Sequence, residues 1–224
     1  NKFGIDASWR NQMLVAADNN KPIETIIDYA QSNYLENLIF IDNTASQQIA
    51  AYYPQIIKAG FDLVSSNKIA NTQDIENYKQ LHQLLRQHGK KYLYETNVGA
   101  GLPIINTIKL LHASGENITK IRGVFSGSLS YIFNAFSTRK TAFSTVLQQA
   151  EQKGYTEPDA RDDLSGKDVA RKLLILAREL GLKNDLEDVQ VESLVPESLK
   201  AFSLADFKLN YAQLNHYFEP IHQQ

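Results

Sequence analysis

The chain has 224 residues, enough for one or two domains, and its 43% hydrophobic content suffices for a sizeable core. A net charge of −2, with 23 Lys and Arg scattered along the chain, excludes a basic nucleic-acid-binding stripe. With no cysteine there is neither a disulfide framework nor a thiolate metal site.

The first residues, Asn1-Lys2-Phe3-Gly4-Ile5-Asp6, read as part of a strand and carry no signal-peptide pattern. Leu38-Ile39-Phe40-Ile41 is a short continuous apolar run, as expected of a buried parallel strand. Thr44 with Gln47 three residues on resembles a capping box, opening a helix that runs to the stop at Gly60. A second strand over 61–65 follows at once. A helix over about 72–88 then ends at Gly89, and Tyr92-Leu93-Tyr94-Glu95 reads as a third strand. This alternation with short links predicts an α/β unit, a parallel sheet covered by helices. Ligands of such sheets sit at the C-terminal strand ends. Asn43, Thr44, Lys68 and Glu95 lie at or near those ends, and the alternative for each is service as a cap or turn residue.

Near Val98-Gly99-Ala100-Gly101 the pattern changes, which marks a boundary. Beyond it the sequence predicts helix from Pro103, strand over 121–125, helix from Ser128, helix over about 143–153 and a long helix over about 166–180. Helix is again expected over 199–218, with Leu204, Phe207, Tyr211 and Leu214 on one face. No apolar run approaches the ~18–20 residues of a membrane span, and the composition fits a cytoplasmic location.

The stretch 155–172 is the most informative. Glu157, Asp159, Asp162 and Asp163 crowd four carboxylates together, and such charges repel unless something positive sits among them. Arg161 can neutralise one; a bound cation or a substrate ammonium can neutralise more. Asp168 and Lys172 are four apart and share a helix face. Val169, Leu173, Leu176 and Leu180 form the expected buried stripe, and Lys172 borders it. A lysine there is partly desolvated, which suits proton transfer, with Asp168 to orient it. Against this stand ordinary alternatives. Ser165 and Asp168 fit a capping pattern, Asp168 and Lys172 fit an exposed ion pair, and the acidic loop fits a solvated turn or a divalent-metal site.

Four motifs, in order and at consistent spacing, resemble the homoserine dehydrogenase family: Asn67-Lys68, residues 97–103 (NVGAGLP), residues 125–133 (FSGSLSYIF) and residues 154–166 (GYTEPDARDDLSG). The likeness is strongest to the C-terminal half of bifunctional aspartokinase–homoserine dehydrogenases. It implies a partial Rossmann-like parallel sheet with helices over 1–97, followed by an α+β substrate-binding and dimerisation domain over 98–224. It implies NAD(P)-dependent interconversion of L-aspartate-4-semialdehyde and L-homoserine, a step of threonine and methionine biosynthesis. By the same resemblance Glu157 and Asp163 hold the substrate ammonium, and Gly127, Ser128 and Tyr155 line the substrate site. Lys172, supported by Asp168, acts on the reacting oxygen, and Lys68 is the second candidate. Asn43, Thr44 and Lys68 lie beside the nicotinamide nucleotide. A monovalent cation, Na+, is held by the backbone carbonyls of Glu95, Val98, Ala100 and Leu102. The implied partners are a second copy of the chain and a fused aspartokinase domain, with no nucleic acid and no membrane.

The sequence departs from that pattern in places. No G-x-G-x-x-G turn is present, since Gly99-Ala100-Gly101 is followed by Leu102-Pro103-Ile104. The chain is therefore expected to start at the family's second strand and to stop before its last elements. Ala160 stands where relatives often carry proline, and Ile69 where many carry a second lysine. Asp6 favours a free ribose 2′-hydroxyl and Arg10 a 2′-phosphate, so NAD and NADP both stay open. Two other functions remain: a catalytically inactive binding or dimerisation module, and a metal-dependent hydrolase built on the acidic loop.

Overall fold

The structure is a computed structural model that describes residues 22–138 and 141–220 together with Ser8 and Asn11. The expected opening strand, Asp6 and Arg10 lie outside the described residues. The first elements are α1 (Ile23–Ser32), β1 (Leu38–Asp42), α2 (Gln47–Ala51), α3 (Tyr53–Lys58), β2 (Phe61–Ser65), α4 (Ile69–Thr72), α5 (Ile75–Gln87) and β3 (Tyr92–Leu93). The three strands are parallel in the order β1-β2-β3, with Leu38 opposite Phe61 and Leu63 opposite Tyr92.

Alternate strand residues point to opposite faces. Phe61, Leu63 and Tyr92 are buried with Tyr53, Ile56 and Ile57 of α3 and Leu81 and Leu85 of α5. Ile39, Ile41 and Leu93 take the other face and are 57–63% exposed, so among the described residues the helices cover one face.

Three local expectations are corrected. The helix expected from Thr44 to Gly60 is two helices, because Pro54 starts a new first turn in α3. Its cap is Ser46, whose Oγ accepts the Ile49 N–H, because Asp42 captures both the N–H and the hydroxyl of Thr44. The third strand ends at Leu93. Residues Glu95–Asn97 coil into a 3-10 turn, which lets the Glu95 carboxylate accept the N–H groups of Ile105 and Asn106.

The remaining helices are α6 (Ile104–Ala113), α7 (Gly127–Thr138), α8 (Phe143–Gln152), α9 (Ala160–Leu164), α10 (Lys167–Glu179), α11 (Glu197–Lys200), α12 (Leu204–Leu209) and α13 (Ala212–Phe218). Residues 121–125 form no strand. No neighbouring strand lies beside them among the described residues, and Val124 is 76% exposed. The single helix expected over 199–218 is three, divided at Ser203, which caps α12 by accepting the Asp206 N–H, and at Asn210. Phe207, Tyr211 and Leu214 are buried as one face, but Leu204 in the first turn of α12 is exposed.

The buried residues form two cores. One holds the sheet side together with Val98, Ile105 and Ile108, so it runs across the 97/98 position. The other is helical and aromatic, with Phe143 and Phe218 stacked at 3.8 Å. Helix α9 gives Ala160 and Leu164 to the helical core, whereas α10 gives Ile175 and Leu176 to the sheet-side core. The chain changes core at Gly166, whose φ of +74° suits glycine and whose Cβ, if present, would lie 3.0 Å from Val191 Cγ1. Since α10 contacts both α4 and α6, its buried set is Ala170, Leu174, Ile175, Leu176 and Arg178 rather than the narrower stripe expected. No helix among the described residues is long and apolar enough to cross a membrane.

Candidate active site

The C-terminal ends of β1 and β2 form one wall of a cleft of about 590 Å³, and the acidic loop with the start of α10 forms the other. Its lining includes Thr44, Ala45 and Lys68 on the first side and Ser126, Glu157, Asp163 and Asp168 on the second.

The first wall is fixed by a buried carboxylate. Asp42 ends β1 at 2% exposure. It accepts the N–H and hydroxyl of Thr44 at 2.8 and 2.7 Å, the Tyr53 hydroxyl at 2.7 Å and the Asn67 amide at 3.0 Å. Burial opposes its ionisation, but these hydrogen bonds outweigh burial and hold the carboxyl below the usual range. One anion thereby ties the loop of Thr44 to the loop of Asn67 and Lys68. Asn43 lies exposed beside it, its side-chain oxygen 3.3 Å from Ser66 Oγ.

On the second wall Asp168 stands between two lysines. Lys172 Nζ lies 2.7 Å from Oδ2 and Lys68 Nζ 3.3 Å from Oδ1. Lys172 also donates to the Phe125 carbonyl at 2.7 Å, which commits two of its three donors. Burial opposes the charge on Asp168, yet the hydrogen bond from Lys172 and the charge of Lys68 prevail and keep its carboxyl low. The capping alternative for Asp168 fails, because its carboxylate faces the lysines and Gly166 is the N-cap of α10.

The acidic loop is internally organised. Asp159 is bound by the Arg161 guanidinium, which keeps its carboxyl below the usual range, and Arg161 also donates to the Phe202 carbonyl at 2.7 Å. Asp163 accepts the Ser128 hydroxyl at 2.6 Å and the Glu157 N–H at 2.8 Å, and Ser128 Oγ lies 2.9 Å from Ser126 Oγ. The exposed Glu157 carboxylate has no partner among the described residues. Because Asp159 and Asp163 are engaged this way, the loop does not converge as metal ligands would. Among the described residues no group of three or more His, Cys, Asp or Glu does so.

Of the residues expected to meet substrate or cofactor, Asn43, Gly127, Ser128, Tyr155 and Lys172 do not themselves line the cleft. Gly127 lies by Ser130 and Tyr131, and Tyr155 is 51% exposed with its ring 4.8 Å from that of Tyr131. In the turn at 95–102, Gly99 and Ala100 have φ of +83° and +52°. A Cβ at Gly99 would come to 2.6 Å from Ile104 Cγ1, so the turn requires glycine there. The Glu95 and Leu102 carbonyls accept the N–H groups of Val98 and Ile104, whereas those of Val98 and Ala100 accept no described hydrogen bond.

Sequence reasoning gave no site role to Asp42 or Tyr53, and it named Asn67 and Ser126 only as parts of motifs. Asp42 follows the apolar run 38–41 directly, which is the one local signal it gave.

Residues 103–218 match the family model described as homoserine dehydrogenase, and residues 5–95 match homoserine dehydrogenase, NAD binding domain. The chain is 43% identical over 205 residues to the chloroplastic bifunctional aspartokinase/homoserine dehydrogenase 1 of Zea mays, covering 91% of this chain and 22% of that protein. The chain thus spans under a quarter of that relative's length. A crystal structure of a Candida auris protein of unknown function superposes with a TM-score of 0.83 at 34% identity, over 91% of this chain and 58% of that one. A hyperthermophilic archaeal homoserine dehydrogenase in complex with NADPH gives a TM-score of 0.58 at 26% identity, over 68% of this chain and 48% of that one.

Proposed function

The chain belongs to the homoserine dehydrogenase family, and from that premise we propose that its cleft serves NAD(P)-dependent interconversion of L-aspartate-4-semialdehyde and L-homoserine. One observation carries the reading. A carboxylate holding two ammonium groups shares a cleft with an acidic side chain that has no partner among the described residues.

The cofactor, when bound, supplies or accepts the hydride. Asn43, Thr44 and Lys68 fit its nicotinamide end. They sit at the ends of parallel strands, where the small side chains of Thr44, Ala45 and Ser66 leave room for a ring. The amino-acid substrate brings its own ammonium, and Glu157 takes it, with Asp163 adding charge and holding the loop through the Glu157 N–H. The aldehyde oxygen then lies toward Lys68, Asp168 and Lys172. Two ammonium groups and one carboxylate leave a net charge of about +1 where alkoxide charge develops. During reduction a lysine gives its proton to that oxygen, becomes neutral and recovers a proton from solvent; oxidation of homoserine runs the same path backward. Either lysine balances the reaction.

The carbonyls of Val98 and Ala100, which accept no hydrogen bond among the described residues, support Na+ there, with Glu95 and Leu102 completing the set. The bifunctional relative supports a fused aspartokinase. Homo-oligomerisation, a cytoplasmic location and division of the chain at 97/98 belong to the same proposal.

The test follows reduced-nicotinamide absorbance in the protein that carries this sequence. The expected result is a loss of absorbance that depends on added semialdehyde. A protein that binds NAD(P)H and semialdehyde without that loss would overturn the reading.

A further inference from the structure

Arg178 is the one fully buried cation among the described residues, its side chain 1% exposed on α10. Burying a guanidinium is costly unless its donors are satisfied. Here Nη1 donates to the Asn71 carbonyl at 3.0 Å, Nε and Nη2 to the Asn184 carbonyl at 3.2 and 3.0 Å, and Nη2 to Asp185 Oδ1 at 2.9 Å. The guanidinium also lies 4.8 Å from the centre of the Tyr78 ring. Only one of these partners is an acid, and none lies in the cleft. Charge neutralisation alone therefore does not explain the residue.

Asn71 explains it. It sits in α4, three residues after Lys68, while Arg178 sits ten residues after Asp168 on α10, a run of about 15 Å along the helix. The described polar links between these two segments are the Lys68–Asp168 ion pair at the cleft end and the Arg178–Asn71 hydrogen bond at the buried end. From the sheet side Asn71 Nδ2 donates to Asn97 Oδ1 at 3.0 Å and to the Tyr92 hydroxyl at 3.2 Å, and Asn97 donates to the Ser65 carbonyl. The segment carrying Lys68 is gripped from the sheet by Asn71 and from α10 by Arg178.

We propose that Arg178 is a positioning residue that fixes the Lys68 segment against the helix of Asp168 and Lys172, and so sets how closely the two ammonium groups share one carboxylate. Its consequence for turnover rests on the dehydrogenase reading; the geometry does not. The sheet holds this segment through Asn67 and Asn71, but its placement against α10 rests on one point at Lys68–Asp168 and a second at Arg178–Asn71. Catalytic groups displaced by about 1 Å lose roughly a hundredfold in rate, so the effect is measurable.

The experiment is a double-mutant cycle of Arg178→Lys with Lys68→Met, read by turnover and by NMR titration of the Asp168 carboxyl. Lysine keeps the charge but cannot reach Asn71, Asn184 and Asp185 together. With Lys68 present, Arg178→Lys is expected to lower turnover by roughly tenfold or more, with KM for homoserine nearly unchanged, and to move the Asp168 titration upward. With Lys68→Met both effects are expected to vanish. If Arg178→Lys fails to fold, Asp185→Asn loosens the same guanidinium and is expected to show a smaller loss with the same dependence on Lys68. Equal losses in both backgrounds, or an unmoved Asp168 titration, would overturn the proposal. If the wild type shows no nicotinamide-coupled turnover, the dehydrogenase reading fails, and the Asp168 titration still decides the role of Arg178.

Discussion

On the strand side of the cleft Asp42 is 2% exposed and its carboxylate takes four hydrogen bonds; across the cleft Glu157 is exposed and its carboxylate takes none that is described. Both are acids, one at the end of a strand and the other in a loop, and they are set up for different work. Asp42 has no capacity left for a ligand and holds Thr44 and Lys68 in register. Glu157 hangs from a loop fixed by Asp163 and Arg161 while its own charge stays available. A rigid frame opposite an unsatisfied charge is what a site needs if it is to orient one reactant and attract another. Asp168, paired on both sides yet still lining the cleft, lies where the two meet.

The strongest way to break this comparison is Lys172→Ala. Turnover is expected to fall by about 10²–10⁴-fold, the range of general acid–base catalysis, with NAD(P) affinity nearly unchanged. Near-normal turnover in steady-state kinetics would take Lys172 out of the mechanism and leave Lys68 as proton donor.

Glu157→Gln tests the free carboxylate. A charged hydrogen bond contributes about 1.5–3 kcal/mol, so calorimetry should show homoserine bound roughly tenfold to a hundredfold more weakly, with NAD(P) binding unaltered. Equal homoserine affinity in both proteins would sink the ammonium assignment.

Tyr53→Phe sharpens the contrast from the frame side. It leaves Asp42 and Ser65 each one buried partner short and is expected to cost about 1–3 kcal/mol in urea unfolding. The exposed Glu157→Gln should stay within about 0.5 kcal/mol. Similar costs for the two would mean that the walls do not differ.

A further effect concerns pH. Burial, with the charges of Lys109, Arg86 and Arg178, lowers His82 from 6.5 to about 4, and its Nε2 has no hydrogen-bond partner among the described residues. Its ring packs against Tyr78, Tyr92 and Tyr94. The unfolded chain therefore binds a proton on His82 below about 6.5 that the folded chain refuses until about 4. The neutral ring's contribution is complete above 6.5 and is lost as the pH falls toward 4. Asp42, Asp159 and Asp168, whose ordinary value is 3.8, lose theirs in a lower window. Urea unfolding between pH 7 and 4.5 should show a decline that His82→Leu removes. An identical decline in the variant would assign it elsewhere.

What was legible in the sequence follows the range of the interactions. β1 and β2 announce themselves through local apolar runs, and α10 through an amphipathic pattern, because each depends on neighbours in the chain. The pairing of Asp168 with Lys172 is equally local, four residues apart. The link from Asp168 to Lys68 spans a hundred positions; the family resemblance named both residues without pairing them. Asp42 with Asn67, and Arg178 with Asn71, are joined over 25 and 107 positions and leave no periodic trace. The stretch 121–125 reads as a strand, but a strand is made by its partner, and none stands there among the described residues.

The central claim is that Asp168 holds both lysines ready at the reacting oxygen. The direct measurement is the rate of NAD(P)H formation from homoserine at saturating cofactor, with Asp168 and with Asp168→Asn. The variant preserves shape and removes the charge both ammonium groups share. The account requires it to be slower by at least about tenfold, with cofactor affinity held. Equal rates in the two proteins would contradict it.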